Sequence, residues 1–169
     1  MAEAGELDMI LDATCGARSM WFQKNDKETV YLDKRKGVFE YETSPNSKLP
    51  QRIFRARIFP TIKGDNRMLP FKNEVFDMIL FDPPHQIGHK TGIYYTLYDE
   101  LNPLSWTTDM IKTSKELFRV LKKGGFLILK WAELQKDLKT VLSFFPIQPL
   151  FGTNTSYKNS TWWIVFRKG

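Results

Sequence analysis

The most constraining feature of the chain is the segment at residues 76–85, which reads FDMILFDPPH. Residues 78–81 are an unbroken apolar run, short enough for a strand that is buried on both faces of a parallel sheet. The run stops at Asp82 and two prolines, which cannot prolong a central strand because proline has no N–H for the ladder. The segment therefore predicts a stiff corner at the carboxyl end of a buried strand, where open α/β sheets bind ligands.

The corner presents one carboxylate and two carbonyl oxygens that the prolines keep out of the sheet. An exocyclic amine on a base is a poor nucleophile, because its lone pair is delocalised into the ring. Acceptors for both amine hydrogens favour the pyramidal nitrogen that attacks, and we predict Asp82 Oδ and the Pro83 carbonyl as those acceptors. Such chemistry depends on positioning and electrostatics, without a covalent intermediate.

Length and cysteine content limit the kind of protein. The 169 residues predict a single domain over residues 1–169. The lone cysteine, Cys15, excludes an internal disulfide and fits a reducing cytosol. We find neither a segment long enough to span a membrane nor a signal-peptide pattern, so we expect a cytoplasmic protein without membrane contact.

Positive charge is concentrated in one segment. Residues 34–67 contain nine Lys or Arg and three acidic residues, which accounts for the whole net charge of +6. A basic insertion at about 34–64 is typical of a protein with a polyanionic partner, although a solvated basic loop has the same composition. Arg52, Arg55 and Arg57 are the candidate phosphate contacts.

Apolar runs and turn residues predict the remaining elements. We expect strands at residues 9–13, 29–33, 57–62, 126–129, 150–153 and 162–166, with the last two forming an antiparallel hairpin around a polar turn at 154–160. A short helix is expected at 20–22. Longer helices are expected from Thr107 or Thr108, one of them the N-cap, to the Gly-Gly pair at 124–125, and at 135–144. Residues 43–50 read as a loop.

Five motifs in chain order resemble those of class I S-adenosylmethionine-dependent methyltransferases: LDATCG (11–16), YLD (31–33), GDNRMLPF (64–71), FDMILFDPPH (76–85) and LKKGGFLILKW (121–131). The ending, PLFG (149–152) and TWWIVFRK (161–168), is similar to that of the small single-domain type found in phage and bacterial genomes. The resemblance implies a Rossmann-like α/β fold. Its sheet would have seven strands or slightly fewer, mostly parallel, with an antiparallel C-terminal edge hairpin and helices on both faces.

The resemblance also implies residues that bind S-adenosylmethionine. Its methionine end would be wrapped by the backbone of the first motif, in which the family usually has glycine where Thr14 and Arg18 stand. Asp33 would accept from the ribose hydroxyls and Asp65 from the adenine amine, with Asn66 N–H facing a ring nitrogen. The first-motif residues are Asp12, Ala13, Thr14, Cys15 and Gly16.

On the acceptor side, Asp82, Pro83, Pro84 and His85 match the catalytic motif of enzymes that methylate adenine N6 or cytosine N4. The fourth residue is usually an aromatic that stacks on the base; His85 can stack and can also titrate. No metal is expected. Residues 86–106 are interpreted as a substrate lid. The substrate-binding candidates are Lys130, Trp131, Tyr94, Tyr95 and Arg55.

Three functions stay open. The first is methylation of a base amine in RNA or DNA. Since the chain has no room for a recognition domain, this favours structured RNA, non-specific DNA, or help from a homodimer or partner subunit. The second is methylation of a small-molecule amine, a protein side chain or a ribose hydroxyl. Lys130 with Asp82 resembles the Lys/Asp pair of ribose methyltransferases, although the Asp-Pro-Pro sequence does not. The third is an inactive scaffold, which the residues at 14 and 18 suggest.

Overall fold

The computed structural model describes residues 9–45, 51–88, 90, 92–155 and 160–169. The strands are β1 (Ile10–Asp12), β2 (Thr29–Asp33), β3 (Gly37–Glu42), β4 (Ile53–Ile58), β5 (Ile62–Lys63), β6 (Phe76–Phe81), β7 (Leu121–Ala132), β8 (Phe151–Asn154) and β9 (Thr161–Arg167). The helices are α1 (Gly92–Tyr98), α2 (Trp106–Val120) and α3 (Leu138–Leu142).

Seven strands form one sheet in the order β5-β2-β1-β6-β7-β9-β8. Strands β5, β2, β1, β6 and β7 pair in parallel, and β9 runs antiparallel to both β7 and β8. The predicted seven-stranded, mostly parallel sheet with an antiparallel C-terminal edge is therefore confirmed. The resemblance also implied helices on both faces, but the described helices α2 and α3 share one core cluster on a single face. The strand order reverses between β1 and β6, which is the place where doubly wound sheets form a ligand crevice.

The main core lies on one face of this sheet. Register places Leu11, Ile79 and Leu127 side by side, and none of them has exposed surface. The apolar side of α2 packs on this row through residues such as Leu117, and Val141 of α3 belongs to the same cluster. Helix α1 packs against the separate β3–β4 hairpin.

Two predictions before β6 are wrong. Residues 20–22 lie in turns and bends and not in a helix, and the strand expected at 57–62 is divided between β4 and β5, with Pro60 between them. The basic segment instead forms the β3–β4 hairpin. In both strands of the hairpin, inward and outward residues alternate. The sequence does not show the polar and apolar alternation typical of a strand, because apolar Val38 and Ile53 share the outward positions with charged residues. The predicted loop residues 46–50 and 156–159 lie outside the described part of the chain.

After β6 the helices are shorter than expected or begin elsewhere. Helix α1 was not predicted within the 86–106 segment. Helix α2 begins one residue before Thr107 with Ser105 as N-cap, and it ends at Val120, so the Gly-Gly pair lies inside an irregular β7. Gly124 has a φ of 78°. A Cβ at Gly125 would lie 2.8 Å from the Asp77 carbonyl oxygen, which explains the need for glycine there.

Helix α3 spans only Leu138–Leu142 of the predicted 135–144, and its N-cap Asp137 accepts from Thr140 N at 2.7 Å. None of the helices in the described residues is both long and apolar enough to cross a bilayer.

Candidate active site

A cavity of about 930 Å³ opens at the carboxyl ends of β1, β2 and β6. This volume is within the range typical of small-molecule and cofactor sites. Most of the residues predicted from the sequence line it, and they come from segments that are far apart in the chain. They are Asp12, Ala13, Thr14, Cys15, Gly16, Asp33, Arg55, Asp65, Asn66, Asp82, Pro83, Pro84, His85, Tyr94 and Lys130.

The loop after β1 is held between the ends of its two neighbouring strands. Ala13 N donates to the Leu80 carbonyl of β6, and Cys15 N donates to the Leu32 carbonyl of β2, each at 2.9 Å. The Thr14 hydroxyl accepts from Asp82 N at 2.8 Å. This side chain therefore joins the first motif to the predicted catalytic corner, a role that a glycine at position 14 could not have.

The backbone of this loop keeps the conformation that favours glycine. Gly16 has a φ of 48° and Arg18 a φ of 55°. An arginine in the left-handed region carries a cost of about 1 kcal/mol. Arg18 recovers contacts through its guanidinium, which donates to the Lys24 and Phe59 carbonyls and lies 3.7 Å from the centre of the Tyr31 ring.

Asp12 is a buried carboxylate held by uncharged donors. Its Oδ1 accepts from Thr14 N at 3.2 Å and its Oδ2 from Trp21 Nε1 at 2.7 Å. Burial raises the pKa of Asp12 to about 6, and these hydrogen bonds only partly oppose that effect. Asp12 thus titrates in a range where a positively charged ligand would favour its ionised form.

Asp33, at the end of β2, connects the first motif to the hairpin side of the cavity. Its Oδ2 accepts from Gly16 N at 3.0 Å, and its Oδ1 accepts from Arg35 N at 2.8 Å. The Arg35 guanidinium in turn donates to two α1 carbonyls, those of Thr96 and Leu97. A ligand that binds Asp33 would therefore lie next to Arg35, the residue that holds α1 in place.

Asp65 and Asn66 lie at the opposite end of the cavity. Both oxygens of Asp65 accept from Arg67, which also binds Asp109 at 3.0 Å. The hydrogen bonds from Arg67, the largest effect, lower the pKa of Asp65. Asn66 Oδ1 accepts from the Thr113 hydroxyl at 3.1 Å. These contacts fix both side chains and leave the Asp65 carboxylate ionised.

The predicted catalytic carboxylate, Asp82, lies against two basic side chains. Lys130 Nζ donates to Asp82 Oδ2 at 2.9 Å, and His85 Nε2 lies 3.1 Å from Asp82 Oδ1. Burial alone would raise the pKa of Asp82, but the contact with His85 and the charge of Lys130 outweigh it, so the pKa is lowered. Asp82 is therefore a carboxylate that stays ionised despite being about four-fifths buried.

Two atoms at this corner lack a directed hydrogen bond from any residue in the described part of the chain. They are Asp82 Oδ1, whose contact with His85 is close but poorly aligned, and His85 Nδ1. Buried polar atoms of this kind are rare and need an explanation. Both belong to residues that line the cavity, but each atom is itself buried, so a polar group on a ligand would become a partner only after the His85 side chain shifts.

Two substrate-binding predictions do not fit the structure. Trp131 has no exposed surface; its ring meets His85 edge-to-face at 5.2 Å, and its indole donates to the Lys136 carbonyl. Trp131 packs against His85 from the interior of the protein, and its side chain is not accessible to a substrate. Tyr95 is not among the cavity-lining residues, whereas Tyr94 and Tyr98 line the cavity with stacked rings 6.4 Å apart.

The basic residues around the cavity are largely neutralised. Lys34 pairs with Asp99, Arg55 with Glu40, and Arg67 with Asp65 and Asp109. Among the described cavity residues, Arg18 is a cation whose side chain binds carbonyl groups and no carboxylate. The sequence count of basic residues therefore overstates the positive charge that a ligand would meet.

Three cavity residues were missed or misread from the sequence. The sequence assigns no role to Trp21, which holds Asp12, and it marks Arg18 only as a position where the family usually has glycine. Glu100 gave no signal in the sequence; it is buried in the cavity wall, with Oε2 unpartnered among the described residues. A tryptophan shortly after a first-strand acid is the one signal that could have been read.

No family model and no curated protein sequence matches the chain. Solved structures do. The PH0226 protein from Pyrococcus horikoshii OT3 aligns with 97% of this chain and 83% of its own, at 16% identity and a TM-score of 0.60. A SAM-dependent methyltransferase from Methanosarcina mazei aligns with 97% of this chain and 94% of its own, at 14% identity and a TM-score of 0.55.

These similarities define the class by fold: the chain has the Rossmann-like fold of S-adenosylmethionine-dependent methyltransferases. The residues present fit the cofactor that this fold implies. A Cβ at Gly16 would meet nothing nearer than the Thr14 carbonyl oxygen at 4.0 Å, so the loop leaves space for a ligand, and the acids at 12, 33 and 65 face that space.

Proposed function

We propose that this protein is an S-adenosylmethionine-dependent methyltransferase that acts on an exocyclic amine of a base, adenine N6 or cytosine N4, in RNA or DNA. One observation carries the proposal. The buried, ionised carboxylate of Asp82 has an oxygen without a directed hydrogen bond from the described residues, and it lies in the same cavity as the first-motif loop.

The cofactor half of the cavity has one residue for each polar part of the cofactor. Ionised Asp12 would attract the α-ammonium group, and the Arg18 guanidinium would attract the α-carboxylate. Asp33 would accept from the ribose hydroxyls and Asp65 from the adenine amine, as the family resemblance implies. When bound, the cofactor supplies an electrophilic methyl group on a sulfonium.

The acceptor half would activate the amine by hydrogen bonding. One N–H would donate to Asp82 Oδ1 and the other to the Pro83 carbonyl, which favours the pyramidal nitrogen. The nitrogen lone pair would accept the methyl group that the bound cofactor supplies, and the electron pair of the broken S–C bond would stay with the sulfur. The excess proton on nitrogen then leaves to water. Lys130 would keep Asp82 ionised throughout.

Two features support a nucleic-acid base as acceptor. Tyr94 and Tyr98 offer stacked aromatic rings at the cavity, both more than half exposed, and aromatic rings of this kind stack bases at about 1–3 kcal/mol each. Lys36 and Arg57 lie on the hairpin side, and Arg52 lies 4.0 Å from the centre of the Phe54 ring. These three cations are candidates to meet phosphates.

The direct test is methyl transfer from labelled cofactor to a panel of RNA and DNA, followed by mass spectrometry of the digested nucleosides. We expect N6-methyladenine or N4-methylcytosine, with loss of label in Asp82→Ala. Thr43→Ala, a buried hydroxyl of the hairpin, is a control for general loss of stability. Equal incorporation by wild type and Asp82→Ala would contradict the role of Asp82.

A second candidate, a ribose hydroxyl as acceptor, is favoured by the Lys130–Asp82 pair. The Lys130 ammonium could orient an alcohol, and the Asp82 carboxylate, 2.9 Å from it, could accept the proton that the alcohol loses on methylation. The same nucleoside digest distinguishes the two, because this chemistry would yield a 2′-O-methyl nucleoside. A lack of cofactor binding in calorimetry would favour an inactive scaffold over both.

A further inference from the structure

The two faces of the central sheet are covered very differently. Residues that alternate with the buried row point to the opposite face of the sheet. On this face the loop between β1 and β2 covers β2, because the Trp21 ring packs against the Tyr31 ring. Farther along, over β6, β7, β9 and β8, no helix of the described residues packs on this face.

We define the open face as the outward residues of those four strands and of β1. It is apolar and partly exposed. Phe126 is 40% exposed and Phe151 62%. Register places these side chains in contiguous rows across the sheet. They are Ile10, Met78 and Phe126 in one row; Leu80, Ile128, Val165 and Phe151 in the next; and Lys130, Trp163 and Thr153 at the carboxyl end of β7.

We propose that the open face is a self-association surface, on which a second copy of this chain packs its own open face. The inference does not depend on the acceptor proposed above. Two twisted sheets of the same hand stack naturally at about −30° with their inner side chains interdigitated. A two-fold axis that lies between the two faces, perpendicular to the strands, would place the middle apolar row, that of Leu80 and Ile128, against its equivalent, with the strands of the two copies antiparallel.

The charges on the open face fit a copy of itself better than a strongly charged partner. Among its described residues the face has no acid outside the active-site corner. Its cations are Lys130, which is paired with Asp82, and the exposed Arg167, which lies 5.9 Å from the Phe126 ring centre. Arg167 pairs with Phe126, at the end of the open face farthest from Lys130, so an antiparallel two-fold arrangement keeps the two arginines at opposite ends of the interface.

The area of the open face predicts a reversible dimer. Four strands at about 4.8 Å spacing and five residues at about 3.3 Å rise cover roughly 300 Å² of sheet plane. A stable interface needs about 800 Å² of accessible surface per partner. Side chains that project from the sheet plane, together with the exposed neighbours Met9 and Leu150, increase the accessible area of the face, but this area stays near the lower limit for a specific interface. The face is therefore smaller than a standard interface, and we expect association that is weak and reversible.

The interface would also border the active site. Lys130 is one of its residues, and its Nζ binds Asp82 Oδ2 at 2.9 Å. Trp163 pairs with Lys130 in register, and the ammonium lies 5.8 Å from its ring. A second copy over Trp163 would exclude water from the Lys130–Asp82 pair.

The test is sedimentation equilibrium over a hundredfold range of concentration. We expect the wild-type mass to rise from one chain to two, and Phe126→Glu to weaken association at least tenfold. Val38→Glu, an equally exposed apolar position on β3, is the matched control and should behave as wild type. Far-UV circular dichroism checks the fold, and Phe151→Ser at the sheet edge replaces Phe126→Glu if that variant fails to fold.

A wild-type chain that stays monomeric throughout, or an open-face variant that associates like wild type, overturns the proposal. A monomer whose open face is covered by a different protein overturns it as well. Because mass is measured without substrate or cofactor, none of these outcomes bears on the proposed methyl transfer.

Discussion

The two buried carboxylates at the switch point, Asp12 and Asp82, have opposite electrostatics. They follow adjacent parallel strands, and Asp12 pairs in register with Leu80, two residues before Asp82. Asp12 is held by neutral donors, and burial raises its pKa to about 6. Asp82 is also largely enclosed, yet its pKa is lowered, because a lysine and a histidine contact it. The charge of the partners decides the direction, and burial alone does not.

This difference assigns the two acids to different tasks. An acid that titrates near neutrality responds to a cationic ligand, as expected on the cofactor side. An acid that stays ionised can accept hydrogen bonds from an amine at any physiological pH, as expected on the acceptor side. Substitutions that exchange or remove these partners test the assignment.

The largest effect is expected from comparing Asp82→Asn with Asp12→Asn. Asp82→Asn should lower kcat by roughly 10²–10³ with little change in cofactor affinity, since it removes an interaction made with the reacting amine. Asp12→Asn should mainly raise the dissociation constant for the cofactor. Steady-state kinetics and calorimetry separate the two, and the reverse pattern would exchange the tasks of the two acids.

A smaller effect is expected from Lys130→Met, which keeps the length of the side chain but removes its charge. The pKa of Asp82 would rise toward or above its ordinary value, so the carboxylate would protonate at a higher pH. Activity should therefore be lost at a higher pH as the solution is acidified. Each tenfold gain in the proton affinity of Asp82 moves the acidic limb of the profile up by about one pH unit. An unchanged pH–rate profile would show that Lys130 interacts with the acceptor and does not set the pKa of Asp82.

Cofactor affinity should depend on pH through Asp12. Above about pH 6 the carboxylate is ionised and attracts the ammonium group; below it the charge is lost, so affinity should rise severalfold as the pH increases through about 6. Trp21→Phe removes the indole donor and should move this midpoint upward. Calorimetric titration across the pH range measures both, with Trp163→Phe as the matched indole control.

The smallest effect is expected from Arg55→Ala on the hairpin. Its pair with Glu40 is about half exposed, so stability should change by less than about 0.5 kcal/mol in thermal unfolding. If Arg55 contacts a phosphate, the slope of log affinity for RNA or DNA against log salt concentration should become shallower by about one. An unaltered slope restricts the nucleic-acid surface to other residues.

Much of the site could be predicted from the sequence because it depends on local rules. An apolar run that ends in Asp-Pro-Pro must stop a buried strand, and acids that follow parallel strands gather at one edge of the sheet. This reasoning predicts Asp82 at the carboxyl end of a buried strand, and the resemblance to methyltransferases implies Asp12, Asp33 and Asp65 at the cofactor; the structure has all four around one cavity. The seven-stranded sheet was also implied by the resemblance, whereas the order of its strands comes from the structure.

Tertiary structure alone decided how these groups are partnered. The sequence assigns no role to Trp21 and predicts Trp131 as a substrate contact, but in the structure Trp21 holds Asp12 at the cavity and Trp131 is buried against His85. The basic segment suggested a positive surface, but its side chains are largely used in ion pairs across the fold. Sequence order determines which residues reach the sheet edge, whereas contacts between distant segments set their charge, orientation and exposure.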